Sequence, residues 1–187
     1  MEQYLKAPAK RYVQQKIFSR IDKAKTFLGL AGSHPEKYLE VIPPANKVVL
    51  VDFNPVNAMV RRNSLIGEFD LLRMQEDCYT IVNAVDCDFC KSILSNGDDL
   101  LYIYSKLKKS LRKNKYISFT FSLRGVGVDK TLEWLSSNFP EIKVNDGIFI
   151  PVDKDFGPMK YVKHIPGTHL YMYRDSGDNM ISGLIEI

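Results

Sequence analysis

Cysteine is scarce in this 187-residue chain, which has only Cys78, Cys87 and Cys90. Three thiols cannot pair completely, so a disulfide framework is not expected and the expected location is the reducing cytoplasm. Long apolar runs are missing as well. No stretch nears the roughly 20 residues that cross a bilayer, and "MEQYLKAPAKRYVQQKIF" lacks the apolar core of a secretion signal, so no membrane partner is expected. Histidine is confined to His34, His164 and His169. Cys87 and Cys90 in "CDFC" have ligand-like spacing, but zinc takes four ligands and no second Cys-x-x-Cys exists. The two read as ordinary thiols, and no metal is expected. Repeats, low-complexity tracts and long linkers are absent too, which leaves residues 1–187 as one domain with nothing to divide it.

What is present fits a globular α/β protein. Hydrophobic residues make up 45% and charged residues 26%, enough to build a core under a charged surface. The net charge of +4 is unevenly spread. Residues 1–25 carry seven Lys or Arg against two acids, and "KLKKSLRKNK" (106–115) carries six with no acid. Such runs attract polyanions, nucleic acid included; they equally serve as solvated helix faces.

The order of elements is a strand–helix alternation. A basic helix over 1–25 places Tyr12, Ile17, Phe18 and Ile21 at helical spacing, and "TFLGL" (26–30) is a short buried strand. In "SHPE", Ser33 caps a helix, Pro35 suits its first turn and Glu36 completes a capping box. "KVVLVDF" (47–53) is an apolar run of the kind buried on both faces of a parallel sheet, and Asn54-Pro55 opens a second helix. Residues 66–75 fit either a third strand or a helix extension. "YTIVNAV" (79–85) is a strand, Asn96-Gly97 a turn, and 99–113 a helix with a basic outer face, built on Leu100, Ile103, Tyr104, Leu107 and Leu111. "KYISFTFS" (115–122) is a buried strand, 129–139 a helix capped by Asp129, and 142–187 a series of antiparallel strands. Together these describe a doubly wound, mostly parallel sheet with helices on both faces and an antiparallel C-terminal hairpin. Its parts are the basic N-terminal helix (1–25), an α/β core (26–140) and a β tail (141–187).

An open parallel sheet presents its ligand site at the carboxyl ends of its strands. Four corners fall there. Gly29-Leu30-Ala31-Gly32-Ser33 lets backbone approach a ligand beside a helix N-terminus. Asp52, 23 residues after Gly29, can accept hydrogen bonds from both hydroxyls of a ribose. Asp86-Cys87-Asp88 lies just beyond the strand 79–85, and "FTFSLRG" closes the strand 115–122. A glycine corner followed by an acidic strand end about 20 residues on binds adenosine-containing cofactors. A nicotinamide fingerprint fits poorly, since His34 or Pro35 stands where its last glycine belongs.

At these residues the chain resembles the class I S-adenosylmethionine-dependent methyltransferases over nearly its whole length. "FLGLAGS" is similar to their first motif, "VVLVDFNP" to the second, "YTIVNAVDCDF" to the fourth and "KYISFTFSLRG" to the strand after it. The resemblance implies a Rossmann-like methyltransferase fold that binds S-adenosylmethionine. Gly29, Ala31, Gly32 and Ser33 would then approach the amino-acid part of the cofactor, Asp52 the ribose, and Phe53 or Asn54 the adenine. Asp86 and Cys87 would face the reacting methyl. The first motif departs from the pattern, with Thr26 and Phe27 where an acid is expected and Ala31 for the middle glycine. Asp86 and Asp88 are the catalytic candidates, able to orient an acceptor amine or hydroxyl or take its proton, and equally able to cap the following helix. Arg124, Lys108 and Arg112 are the substrate-binding candidates, set to meet phosphates of a nucleic-acid acceptor, RNA more than DNA. The alternative is an inactive protein of this fold that binds RNA or a protein partner through its basic surfaces.

Overall fold

The computed structural model describes residues 8–21, 26–30, 47–51, 82–89, 91–142, 150–151, 162–175 and 177–187. Eight strands form one sheet: β1 Thr26–Leu30, β2 Lys47–Val51, β3 Ala84–Asp88, β4 Tyr116–Ser122, β5 Ile150–Pro151, β6 Lys163–Ile165, β7 Leu170–Asp175 and β8 Asp178–Glu186. Their spatial order is β2-β1-β3-β4-β8-β7-β6-β5. The first four run parallel, and every pairing from β4 outward to β5 is antiparallel. With three parallel and four antiparallel pairings, this is the expected combination of a parallel sheet and an antiparallel C-terminal part.

Three helices cover its two faces among the described residues: α1 Pro8–Phe18, α2 Ile93–Lys109 and α3 Val128–Asn138. Alternation along each strand sorts the core in two. Leu28, Val85, Cys87, Ile117, Phe119 and Phe121 point to the α2–α3 side, where they meet Leu100, Ile103, Leu107 and Leu135. Phe27, Ala84, Tyr116, Tyr173 and Leu184 point to the other side, against Ala9, Val13, Ile17 and Phe18 of α1. Ala9, Val13 and Ile17 recur every fourth residue, giving α1 a single buried stripe.

Strands β1 and β4 lie where the sequence pattern put them. The helix expected at 99–113 instead begins at Ile93 and ends at Lys109, and Asn96-Gly97 lies inside it rather than forming a turn. A Cβ on Gly97 would stand 2.6 Å from Cζ2 of Trp134, so the glycine serves helix packing. Leu111, counted in the apolar stripe, lies past the helix end and is wholly exposed. The strand expected at 79–85 begins, among the described residues, at Ala84, with Val82 and Asn83 ahead of it, and it runs on to Asp88, so the two aspartates belong to the strand. In α3 the N-cap position is Gly127, at a φ of 83° that favours glycine, and Asp129 sits in the first turn rather than capping. The helices expected after Ser33 and after Asn54, and the segment 66–75, lie outside the described residues.

Candidate active site at the carboxyl edge

Strand β1 is flanked by β2 on one side and β3 on the other, so the order of the chain reverses there. An open α/β sheet opens a crevice at such a point, beyond the carboxyl ends of the strands. The parallel register aligns Gly29 with Leu50 and Leu30 with Val51. The chain therefore leaves β1 toward Ala31 and β2 toward Asp52 from paired positions at one edge. Gly29 is described and sits one residue before that exit. Ala31, Gly32, Ser33, Asp52, Phe53 and Asn54 lie outside the described residues.

On the other side of the crevice, β3 carries Asp86 and Asp88. Two residues apart on a strand, they share the face covered by α1. Asp86 is buried and accepts a 2.7 Å hydrogen bond from Oγ of Ser118, its cross-strand partner on β4. Asp88 pairs with Lys10 of α1, Nζ to Oδ2 at 2.9 Å, with the two side chains only 6% and 12% exposed. A carboxylate kept from water needs such a partner. Beside Asp88 in the ladder stands Thr120, whose hydroxyl is 2.7 Å from that of Ser182; the Ser182 hydroxyl in turn lies 3.0 Å from the Tyr173 hydroxyl. A row of buried polar groups thus crosses β3, β4, β8 and β7 on the face covered by α1.

Cys87, between the two aspartates, points the other way, fully buried among apolar side chains of the α2–α3 side. Burial first, and the charges of Asp86, Asp99 and Asp88 next, raise its thiol well above the ordinary range. Since the thiolate is the nucleophile, this is an inert position. The structure does not bring Cys87 together with the two carboxylates' side chains.

The three cationic candidates are divided. Arg124 follows β4 at the carboxyl edge, 81% exposed, with its Nε 3.5 Å from Asp178. Lys108 and Arg112 stand at the opposite, amino edge, where α2 ends and before β4 starts at Tyr116. Lys108 Nζ donates to the Tyr104 hydroxyl at 3.1 Å, which donates to Glu141 at 2.7 Å. The bond to Tyr104 raises the Lys108 pKa, and burial is the chief reason that the Tyr104 pKa is raised.

Lys10, Ser118, Thr120, Ser182 and Tyr173 were not singled out from the sequence. A signal for part of the row was there: Ser118, Thr120 and Ser122 alternate with Ile117, Phe119 and Phe121, a period of two that assigns the polar set to one face.

No protein-family model matches the chain, and no curated protein matches it by sequence. Similar solved structures exist. The N-methyltransferase NodS from Bradyrhizobium japonicum WM9 shares 9% identity at a TM-score of 0.55, covering 96% of either chain. The Burkholderia thailandensis 1,6-didemethyltoxoflavin-N1-methyltransferase, solved with 1,6-didemethyltoxoflavin and S-adenosylhomocysteine, shares 11% at 0.56, covering 98% of this chain and 80% of its own. The plantazolicin methyltransferase BpumL, solved with S-adenosylhomocysteine, shares 10% at 0.55, covering 98% and 86%. The chain has the fold of the class I methyltransferases.

Proposed function

We propose that this protein of methyltransferase fold binds S-adenosylmethionine at its carboxyl edge and transfers the methyl group to an acceptor held beside Asp86 and Asp88. The observation that carries the reading is the pairing of Leu30 with Val51, which starts the glycine-rich segment and the Asp52 segment side by side at the switch point. S-adenosylhomocysteine, the product such a transfer leaves, is bound in two of the similar structures. In this reading Gly29, described within β1, would let backbone come close without a side chain, and Asp52, outside the described residues, would supply a ribose acceptor. The cofactor supplies an activated methyl group on a sulfonium, so no protein nucleophile is needed, in keeping with the inert Cys87.

What remains for the chain is to align the acceptor and exclude water. Asp88 and Asp86 orient an acceptor N–H or O–H and can receive its proton. Lys10 and Ser118 hold those carboxylates in place at 2.9 and 2.7 Å. Arg124, exposed at the same edge, can meet a phosphate. The basic segments favour a nucleic acid as the acceptor, RNA before DNA, with the cytoplasm as its compartment. Among the described residues, no helix is long and apolar enough to cross a membrane.

A second reading, an inactive protein that keeps the fold and binds RNA or a protein, is favoured by the Ala31 departure and by the engagement of both carboxylates within the protein. Calorimetry separates the two. Wild-type protein is expected to bind S-adenosylmethionine and S-adenosylhomocysteine at micromolar concentration. Asp52→Ala is expected to bind roughly 10- to 100-fold more weakly, since a hydrogen bond to a charged group contributes about 1.5–3 kcal/mol. No heat with either ligand rejects the transferase.

A further inference from the structure

The basic run 106–115 is at the far end of α2 from Asp88. A helix of 17 residues is about 25 Å long, so that distance separates the run from the carboxyl edge. Lys106, Lys108 and Lys109 lie in the last turn of α2, where the negative pole of the helix accounts for them. Arg112, Lys113 and Lys115 lie beyond the helix, and Arg112 has a further interaction within the protein.

The backbone that carries them is pinned. Lys115 Nζ donates to the carbonyls of Lys108 at 2.9 Å and Ser110 at 3.1 Å, closing the helix end. Buried Asn83 donates its side-chain amide to the carbonyl of Lys113 at 2.9 Å. Asn114 takes a left-handed φ of 52°, a conformation asparagine tolerates, and the Ile187 amide donates to the carbonyl of Lys115 at 2.8 Å. Lys109, Arg112 and Lys113 are thus exposed on a fixed frame. Next to them Lys106 Nζ sits 5.2 Å from the ring centre of Tyr102, itself 39% exposed. Of the acids on this side, Glu141 is engaged by the Tyr104 hydroxyl, and Asp98 and Asp99 lie on α2 one turn before Tyr102. The apolar stripe of α2 is used up in the core through Leu100, Ile103 and Leu107. At the carboxyl end of α2 the exposed groups are cationic and aromatic with one bare leucine, Leu111; exposed Leu94 and Asp98 lie in the first turns of the helix, toward its other end. Lipid insertion requires a broad apolar face, whereas single-stranded nucleic acid requires cations for phosphates and a ring for a base.

We propose that this surface docks single-stranded nucleic acid, with phosphates on Lys109, Arg112 and Lys113 and a base against Tyr102, at a place separate from methyl transfer. The proposal rests on the nucleic-acid reading of the acceptor and deepens it: the strand is gripped at one edge of the sheet and modified at the other.

The test is fluorescence anisotropy of a labelled, unstructured single-stranded RNA titrated with the full chain, without cofactor, between about 50 and 200 mM salt. Wild-type affinity is expected to fall steeply with salt. The double variant Lys109→Gln/Lys113→Gln is expected to flatten the log–log slope by about 1.4, about 0.7 per lost phosphate contact, and to bind at least ~10-fold more weakly. Tyr102→Ala is expected to weaken binding about 5- to 100-fold through lost stacking. Lys130→Gln, an exposed lysine on α3, is expected to bind as wild type. Circular dichroism melts establish that each variant folds. RNA binding that the double variant leaves intact overturns the docking site while sparing the nucleic-acid acceptor. No RNA binding by wild type overturns both. Binding to phosphatidylserine vesicles in place of RNA overturns it in favour of a membrane surface.

Discussion

The contact between Lys10 and Asp88 makes a sharp demand on stability. Lys10→Met keeps the length of the side chain and removes its charge, leaving the Asp88 carboxylate with its side chain 6% exposed and its cation gone. Removing one member of a buried pair typically costs about 3–5 kcal/mol, because the survivor is an uncompensated charge. For a chain of 187 residues, where 1 kcal/mol moves the midpoint by about 2–4 °C, the melting temperature should drop by about 6–20 °C. Both side chains have further interactions, so the single variant alone does not measure the pair. A double-mutant cycle with Asp88→Asn does, followed by urea unfolding monitored by circular dichroism. The expected coupling is at least about 2 kcal/mol, with the double variant more stable than the two single losses add up to. Single losses below about 1 kcal/mol that simply add would refute a buried pair joining α1 to β3.

Two further outcomes follow from packing and protonation. Gly183 faces Phe119 across β8 and β4; an alanine Cβ there would stand 2.6 Å from Cζ of Phe119 and also clash with Cδ2 of Leu170. Gly183→Ala should destabilise by about 1–3 kcal/mol in the same urea assay, and wild-type stability in that variant would contradict the packing. His169 has its pKa lowered, chiefly by burial and also by Arg20 and His164, against the raising effect of Glu186 at 3.4 Å. The unfolded chain, near the ordinary value of 6.5, therefore binds the proton more readily than the folded one. Stability from this group is full above that value and declines as pH falls through and below it, and His169→Gln should flatten the decline in unfolding measured from pH 7 to pH 5.

The sheet was readable because its strands are dense in β-formers. "TFLGL" and "YISFTFS" are short apolar runs with turn signals after them, and both appear where expected. The class of fold followed from their order. Asp86, Cys87 and Asp88 read as lying past a strand because aspartate is uncommon within one. What admits them is remote: Ser118 lies 32 residues on, and Lys10 comes from α1. Local pattern puts Ser118 on a polar face of its strand, but does not say which carboxylate that face meets. Asn96-Gly97 misled for a similar reason, since a turn signature and a glycine kept for the ring of Trp134 look alike in one dimension. The basic run was legible as charge, but not as belonging to the edge opposite Asp88, because that depends on how far α2 carries the chain.

The position of β8 has a consequence for how the chain is assembled during synthesis. It is a late segment wedged into the interior of the sheet, between β4 and β7, and Thr120 meets Ser182, 62 positions further along the sequence. Until residue 186 clears the ribosome, β4 presents an open, unclaimed border to any other extended polypeptide. The nascent protein is therefore most exposed to mispairing after its parallel half has formed and before β8 takes its place beside β4.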